Sequence, residues 1–408
     1  MTKLEKKLID AICDHRRLLF VILVGLLGLA IRWAGRYLES EDMHYCLLPW
    51  FNQIKEAGGL SALSSQVGNY GLLYQTLISL MTYLPIPAIM QYKILSTVFD
   101  AALAFMAAAI YRDVRFNGLS GKGTASPLTP DEKNAVVTQS CVLGGMVWLL
   151  PTVILNSSYW AQCDSIYTFF SLATLYFLRR ESFVRAFIML GLAFSFKLQA
   201  IFFLPFICVY YLVSKRFSIA YLMISVVVMW LTGIVAFAYG RSLLDPITIY
   251  AGQSSHYHYL YLCFANFWVL LGDHYWELRW FAILFTVYVL FNGAFVCVNR
   301  KQVFTSSVNY YAIAVWFVWT MLMFLPCMHD RYAYPLDIML LLMAFLDRRF
   351  VKYAVVAVLV SLYLYSDYLF EPRNLIMGSQ GMKVVAVIYL LTYIHFSKTL
   401  YEDIKNVE

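Results

Sequence analysis

The sequence predicts an all-α polytopic membrane protein of about 12 transmembrane helices, organised as one transmembrane domain over residues 1–408. Three observations carry this. The chain is 61% hydrophobic and only 13% charged, whereas soluble globular domains sit near half apolar and about a quarter charged. Apolar runs of about 17–25 residues, the length that crosses a bilayer, recur along the chain. Clusters of Lys and Arg fall in short loops that alternate with those runs, which is the pattern of a topology signal.

The first apolar run, residues 18–34, has basic flanks and no small-residue cleavage site behind it, so it reads as an uncleaved span. Lys3, Lys6, Lys7, Arg16 and Arg17 place the segment before it in the cytoplasm. A first outer loop follows at residues 37–91, with amphipathic stretches at 43–57 and 69–83. The second stretch is apolar enough to imitate a span. Counting it as one would expose Arg112, Arg115, Lys122 and Lys133 outside. Pro85 and Pro87 also cut it to about 22 Å of helix. It is therefore expected to lie in the interface. Spans are then expected at 92–111 and 135–154, with a return to Arg179 and Arg180. A short pair surrounds Lys197 and returns to Lys215 and Arg216, and a further span covers 219–239. A second long outer loop takes residues 241–277. The next two spans join inside at Arg300 and Lys301, and the second of them ends outside at Met328 to Tyr332. One span returns to Arg348 and Arg349. The last two join outside at Glu371-Pro372-Arg373, leaving Lys398 and Lys405 inside. The loop 117–133, rich in Gly, Ser, Thr and Pro, reads as mobile.

The formal net charge of +7 is spread over these loops, so it reads as orientation and not as a nucleic-acid surface. Eight cysteines (Cys13, Cys46, Cys141, Cys163, Cys208, Cys263, Cys297 and Cys327) show no CxxC and no metal spacing. Most sit in apolar runs as small hydrophobes, and no disulfide framework is expected.

Charge in or just above a bilayer is costly, so each such residue needs a reason. Four groups stand out. Glu39-Ser40-Glu41-Asp42 follows the first span and offers a general base at the membrane surface; as a bland alternative it is a solvated acidic run. Asn156 to Asp164 contains Tyr159 and Trp160, which suit an aromatic belt, but also Gln162 and an acid, Asp164, at the mouth of an apolar helix. Phe196-Lys197-Leu198-Gln199 either snorkels its Lys to the interface or presents a fixed positive charge to an anionic head group. His329-Asp330-Arg331-Tyr332 brings a guanidinium whose fork matches phosphate oxygens. Lys93 and Asp100, seven apart on one helix face, could serve as a structural ion pair or as functional groups. The second outer loop adds His256 and His258, a weak metal pair without nearby acids, and Asn266-Phe267-Trp268.

The expected topology puts all four groups at one membrane face. Two carboxylates, a Lys and an Arg suit transfer from a phosphate leaving group. One carboxylate takes a proton from an acceptor hydroxyl, and the cations stabilise the departing charge. Nucleotide sugars are scarce outside the cytoplasm, which favours a lipid-phosphate donor.

At these residues the sequence resembles the GT-C class of membrane glycosyltransferases, specifically a bacterial mannosyltransferase-like group related to the enzyme that adds the second mannose of GPI anchors. The resembling stretches are Ser40-Glu41-Asp42 with Leu48-Pro49-Trp50, and Gly68-Asn69-Tyr70. Further along come the W-x-Q-x-D core at 160–164, Phe196 to Gln199 with Leu204-Pro205, and Leu325 to Tyr332. The resemblance implies a GT-C-like bundle with juxtamembrane helices in the first outer loop. It implies inverting transfer of a hexose (mannose, glucose or galactose) from a polyprenyl-phosphate donor to a lipid-linked or cell-surface glycan acceptor. Asp42 would be the catalytic base and Asp164 the second carboxylate of the catalytic site. Lys197, His329 and Arg331 would hold the donor phosphate. Glu41, Tyr70, Trp160, Gln162, Gln199, Asn266, Trp268, Asp330 and Tyr332 would be candidate substrate contacts. No cofactor is required, and a divalent metal is compatible but not indicated. The site would face outward from a cell membrane or, alternatively, an ER lumen. Two departures stand out: Asp330 replaces the usual Glu of the His-Glu-Arg-Tyr run, and Pro is missing after Tyr70. The competing expectations are a multi-pass transporter or flippase of a lipid-linked saccharide, and a non-catalytic scaffold.

Overall fold

The computed structural model describes residues 1–117, 128–254, 257–300, 302–370 and 378–406. They are almost entirely helical. Among the described residues, six helices are long and apolar enough to cross a membrane: Arg16–Ala34, Ala88–Phe116, Tyr275–Val298, Ser307–Phe324, Arg348–Leu369 and Gln380–Lys405. A seventh span results if the bent pair Pro130–Leu149 and Pro151–Tyr159 is counted as one. Shorter apolar helices complete the bundle, at Leu72–Met81, Phe183–Phe196, Leu198–Ser214, Ile219–Leu231 and Tyr334–Leu346. The expected dozen thus resolves into fewer full-length helices and several short or interrupted ones.

The interruptions have local causes. Pro151 has no N–H to donate and disfavours helical geometry at the residue before it. Leu150 accordingly leaves the helix at φ −59°, ψ 124°, and the expected span 135–154 bends by 46° there. The helix Phe183–Phe196 stops at Lys197, which is extended at φ −150°, ψ 138°. The chain resumes as a 3₁₀ turn, Leu198–Phe203, and then the helix Leu204–Ser214. The stretch 69–83 contains only a ten-residue helix, Leu72–Met81, about 15 Å long and too short to span. Stretch 43–57 folds as a π-turn, Met43–Leu47, followed by the helix Leu48–Glu56.

The helix Ser307–Phe324 is the core of the bundle, with almost all of its side chains buried. It packs with Tyr334–Leu346 and the inner faces of Asp164–Arg179 and Val351–Leu369 in one large apolar cluster. At the periphery, Arg16–Ala34 buries only Gly28 and Arg32. Arg32 lies within the apolar run because it pairs with Asp100: Nη2 and Nε reach Oδ2 at 2.9 and 3.2 Å. Ser157 Oγ donates to the same oxygen at 2.5 Å, and the guanidinium lies 3.7 Å from the Trp148 ring centroid.

Lys93 and Asp100 therefore do not pair with each other. Lys93 Nζ instead donates to the carbonyls of Gly35 and Leu38, at 2.7 and 2.6 Å. It takes up orphan acceptors where the first long helix ends. The second long loop is ordered by Arg241, which bonds Gln75 at 3.2 Å and also reaches Gln66 and Asp245. A two-residue parallel pairing, Tyr261–Leu262 with Met328–His329, ties that loop to the segment carrying His329. All eight cysteines are free.

Candidate functional site

Asp42, Asp164, Lys197 and Arg331, drawn from four distant parts of the chain, meet in one cluster at the end of the bundle where Arg16–Ala34 finishes. Asp164 is the first residue of the helix Asp164–Arg179, where the helix dipole favours a negative charge. It is fully buried. Lys197 Nζ forms a close ion pair with its Oδ1, and Asn156 Nδ2 donates to its Oδ2 at 2.9 Å. The break at Lys197 gives this ammonium its reach. It is buried, so the snorkelling alternative does not describe it.

Asp42 precedes the π-turn Met43–Leu47 and keeps 27% of its side chain exposed. Its Oδ2 accepts from Trp160 Nε1 at 2.9 Å, Gln162 Nε2 at 2.8 Å and Arg331 Nη1 at 3.2 Å. Its backbone N–H donates to the Tyr368 hydroxyl at 3.0 Å. Burial pushes the carboxyl up. The Arg331 guanidinium and the hydrogen bonds from Tyr368 and Trp160 outweigh this and hold it below the usual carboxylate range.

Arg331 bridges the two acids. Its Nε lies 3.8 Å from Asp164 Oδ2. That buried N–H has no hydrogen-bond partner among the described residues.

The segment Trp160–Cys163 delivers both donors to Asp42. It leaves the π-turn Leu155–Tyr159, where Trp160 N–H bonds Leu155 O at 2.8 Å, and passes through Ala161 at φ 63°. Single π-turns are frequent at functional sites, and here one flanks each side of the Asp42–Trp160 contact. Trp160 stacks on Tyr368 with ring centroids 4.3 Å apart. Gln162 Oε1 accepts from the Tyr70 hydroxyl at 3.3 Å, and Gln66 Nε2 holds the Tyr70 carbonyl at 2.9 Å.

The other sequence candidates divide. His329 Nδ1 and Asp330 pair closely with each other, so Asp330 orients the ring of its neighbour. Tyr332 lies against His329 and Phe202. Burial raises its hydroxyl to about 12, opposed by the nearby Arg331 charge and, less, by a hydrogen bond to Gln199. Glu41 is exposed beside Asp42. Asn266 and Trp268 are placed as packing residues. Asn266 caps the turn Phe267–Leu270 by accepting from Trp268 N–H at 3.1 Å. Trp268 is fully buried and donates to Phe324 O at 2.7 Å. His258 stacks on Trp276, while His256 lies outside the described residues, as do Lys122, Lys301 and Glu371-Pro372-Arg373. No group of three or more His, Cys, Asp or Glu among the described residues is placed to hold a metal ion.

Sequence reasoning missed Tyr368 and did not give Asn156 a role. Tyr368 closes an apolar run and reads as a membrane-interface aromatic. Only the fold shows it under Asp42. Searches against models of known protein families and against curated proteins give no match to this chain.

Proposed function

We propose that this protein is a membrane-embedded glycosyltransferase that moves a hexose from a polyprenyl-phosphate donor to a lipid-linked or cell-surface glycan acceptor, with inversion. The carrying observation is Arg331. It spans a part-exposed carboxylate and a buried one, and it keeps a buried, unpartnered N–H. In this reading Asp42 removes the proton from an acceptor hydroxyl. The resulting oxygen attacks the anomeric carbon as the bond from that carbon to the phosphate oxygen breaks. The phosphate leaves with its electron pair, and Arg331, Lys197 and His329 receive the charge. Such a leaving group needs no general acid.

Donor binding and base strength are coupled in this scheme. A phosphate near Arg331 competes with Asp42 for the guanidinium, which removes part of what depresses the carboxyl. Asp42 becomes a stronger base when the donor is in place. Asp164 holds the Lys197 ammonium in position through their close ion pair. The reading places the site on the non-cytoplasmic side of a multi-pass protein of about 12 spans, some of them short or broken, with both chain ends in the cytoplasm.

The test is sugar transfer in proteoliposomes, with mannosyl-, glucosyl- and galactosyl-polyprenyl phosphates and a panel of lipid-linked acceptors. Asp42→Asn should lower transfer by about 10²–10⁴-fold, the usual worth of a general base, while donor binding persists. Undiminished transfer by that variant would remove Asp42 from the mechanism. The breaks at Pro151 and Lys197 favour a second reading, because discontinuous helices also build transporter sites. Movement of a lipid-linked saccharide across the vesicle membrane, without sugar transfer by the wild type, would select it.

A further inference from the structure

We infer that the helix Lys3–Asp14 is a surface anchor that lies on an anionic lipid leaflet beside the first long helix. Nothing in the proposed chemistry uses this helix, and the inference stands independently of that activity. Thr2 and Glu5 form a reciprocal capping box that starts it. None of its residues is buried by the rest of the chain. At 3.6 residues per turn, Leu4, Leu8, Ala11 and Ile12 fall within about 100° of arc, with Ile9 at the margin. Leu4 and Leu8 are 78% and 61% exposed. Lys3, Lys6 and Lys7 occupy the opposite side with Asp10 and Asp14. Glu5 falls beside the apolar stripe, but the cap takes up its carboxylate.

An uncovered apolar stripe needs an occupant, and two observations select a lipid surface. The first is continuity. The helix runs through a bend at His15 into Arg16–Ala34, whose side chains Leu18, Leu19, Val21, Ile22 and Leu23 are also exposed. The stripe therefore joins a face that the bilayer itself covers. Arg17 Nη2 donates to Asn134 Oδ1 at 3.2 Å, fixing the junction beside the start of Pro130–Leu149. The second is charge. The helix itself balances three Lys against three acids, and Arg16 and Arg17 at the junction bring residues 3–17 to five Lys and Arg against three acids; basic residues at a membrane surface are drawn to anionic lipid. A helix with an apolar stripe and a charged, Lys-bearing polar face lies in the interface plane.

Hydrogen–deuterium exchange of the full chain in lipid nanodiscs tests this. The probes are discs of phosphatidylcholine alone and discs containing one third phosphatidylglycerol. In the anionic discs, amides of residues 4–13 should exchange at least tenfold more slowly than in Leu8→Glu/Ile12→Glu. Lys6→Gln/Lys7→Gln should remove the difference between the two lipids while keeping the helix in both. Both variants lie away from Asp42 and its partners, so the fold elsewhere serves as the internal reference. Equal exchange of wild type in both discs, or unchanged protection in Leu8→Glu/Ile12→Glu, overturns the inference. So does protection that depends on the number of copies per disc, which would assign the stripe to a second chain.

Discussion

One oxygen of Asp42 accepts from an indole, an amide and a guanidinium. All three favour the ionised carboxylate, and each should therefore be visible in the pH dependence of activity. A base works only when ionised, so the acidic limb of kcat/KM for the wild type should lie below the ordinary carboxylate range. Trp160→Phe removes one donor but leaves an aromatic ring over Tyr368. The carboxyl then rises toward its usual value, and the acidic limb moves to higher pH, with activity near pH 7 little changed. The stability sign is the same as for any depressed carboxyl. The contribution is present above the unfolded-state value and is lost as pH falls through the folded one. A pH profile of Trp160→Phe that superimposes on the wild type would separate Asp42 from the observed limb. Tyr368 is the partner no sequence pattern could supply, because its role depends on which face of the helix Val351–Leu369 turns toward residue 42.

At the scale of elements, the site is assembled where helices stop. Lys197 occupies the gap between Phe183–Phe196 and Leu198–Phe203, and Asp164 begins a helix after the π-turn Leu155–Tyr159. The acids and cations were legible as charges out of place in apolar sequence. The breaks were only partly so. Pro151 signals its own kink and Lys197 stands between two short apolar runs, but no residue type announces a π-turn. Only Pro151 falls inside a span expected to be continuous, because apolar composition persists across it; the stops at Lys197 and at 155–163 fall where the sequence already separates one span from the next. The pairing across the breaks has a measurable consequence. Lys197→Met leaves Asp164 charged and buried, and breaking a buried pair by removing one partner costs about 3–5 kcal/mol. Asp164→Asn in the same chain removes the stranded charge. The double variant should therefore melt closer to the wild type than Lys197→Met alone, in thermal unfolding of the detergent-solubilised protein. Equal melting of the single and double variants would mean that Asp164 finds another partner, with Arg331 the nearest candidate at 3.8 Å.

Over the whole molecule, a peripheral helix must be held to a bundle with which it shares few buried residues. Arg16–Ala34 buries Gly28 and Arg32 alone, and a lipid-exposed helix gains no hydrophobic drive from docking, since lipid tails are as apolar as Leu. Attachment then rests on close backbone approach and polar pairs. Gly28 supplies the first: a methyl group there would meet the Trp148 indole at 2.0 Å. Arg32 supplies the second through Asp100, the carbonyl of Trp148 at 3.0 Å and the face of its ring. Helix spacing sets Asp100 on one face with Lys93 and leaves open whether the two pair; the cation that does pair with Asp100 is Arg32, 68 residues earlier. Spacing within one helix cannot see a charge arriving from another. Arg32→Met should strand Asp100 at a cost of about 3–5 kcal/mol. Because Asp100 also receives Ser157, next to Asn156 in the π-turn before Trp160, the effect should extend to the site. We expect a lower melting temperature and faster exchange in both residues 16–34 and 155–163. Asp100→Asn added to Arg32→Met should recover most of the stability but not the attachment of the first helix, since the neutral pair cannot replace the guanidinium at Trp148. Loss confined to residues 16–34, with 155–163 unchanged, would show that the ion pair docks the helix without supporting the segment that feeds Asp42.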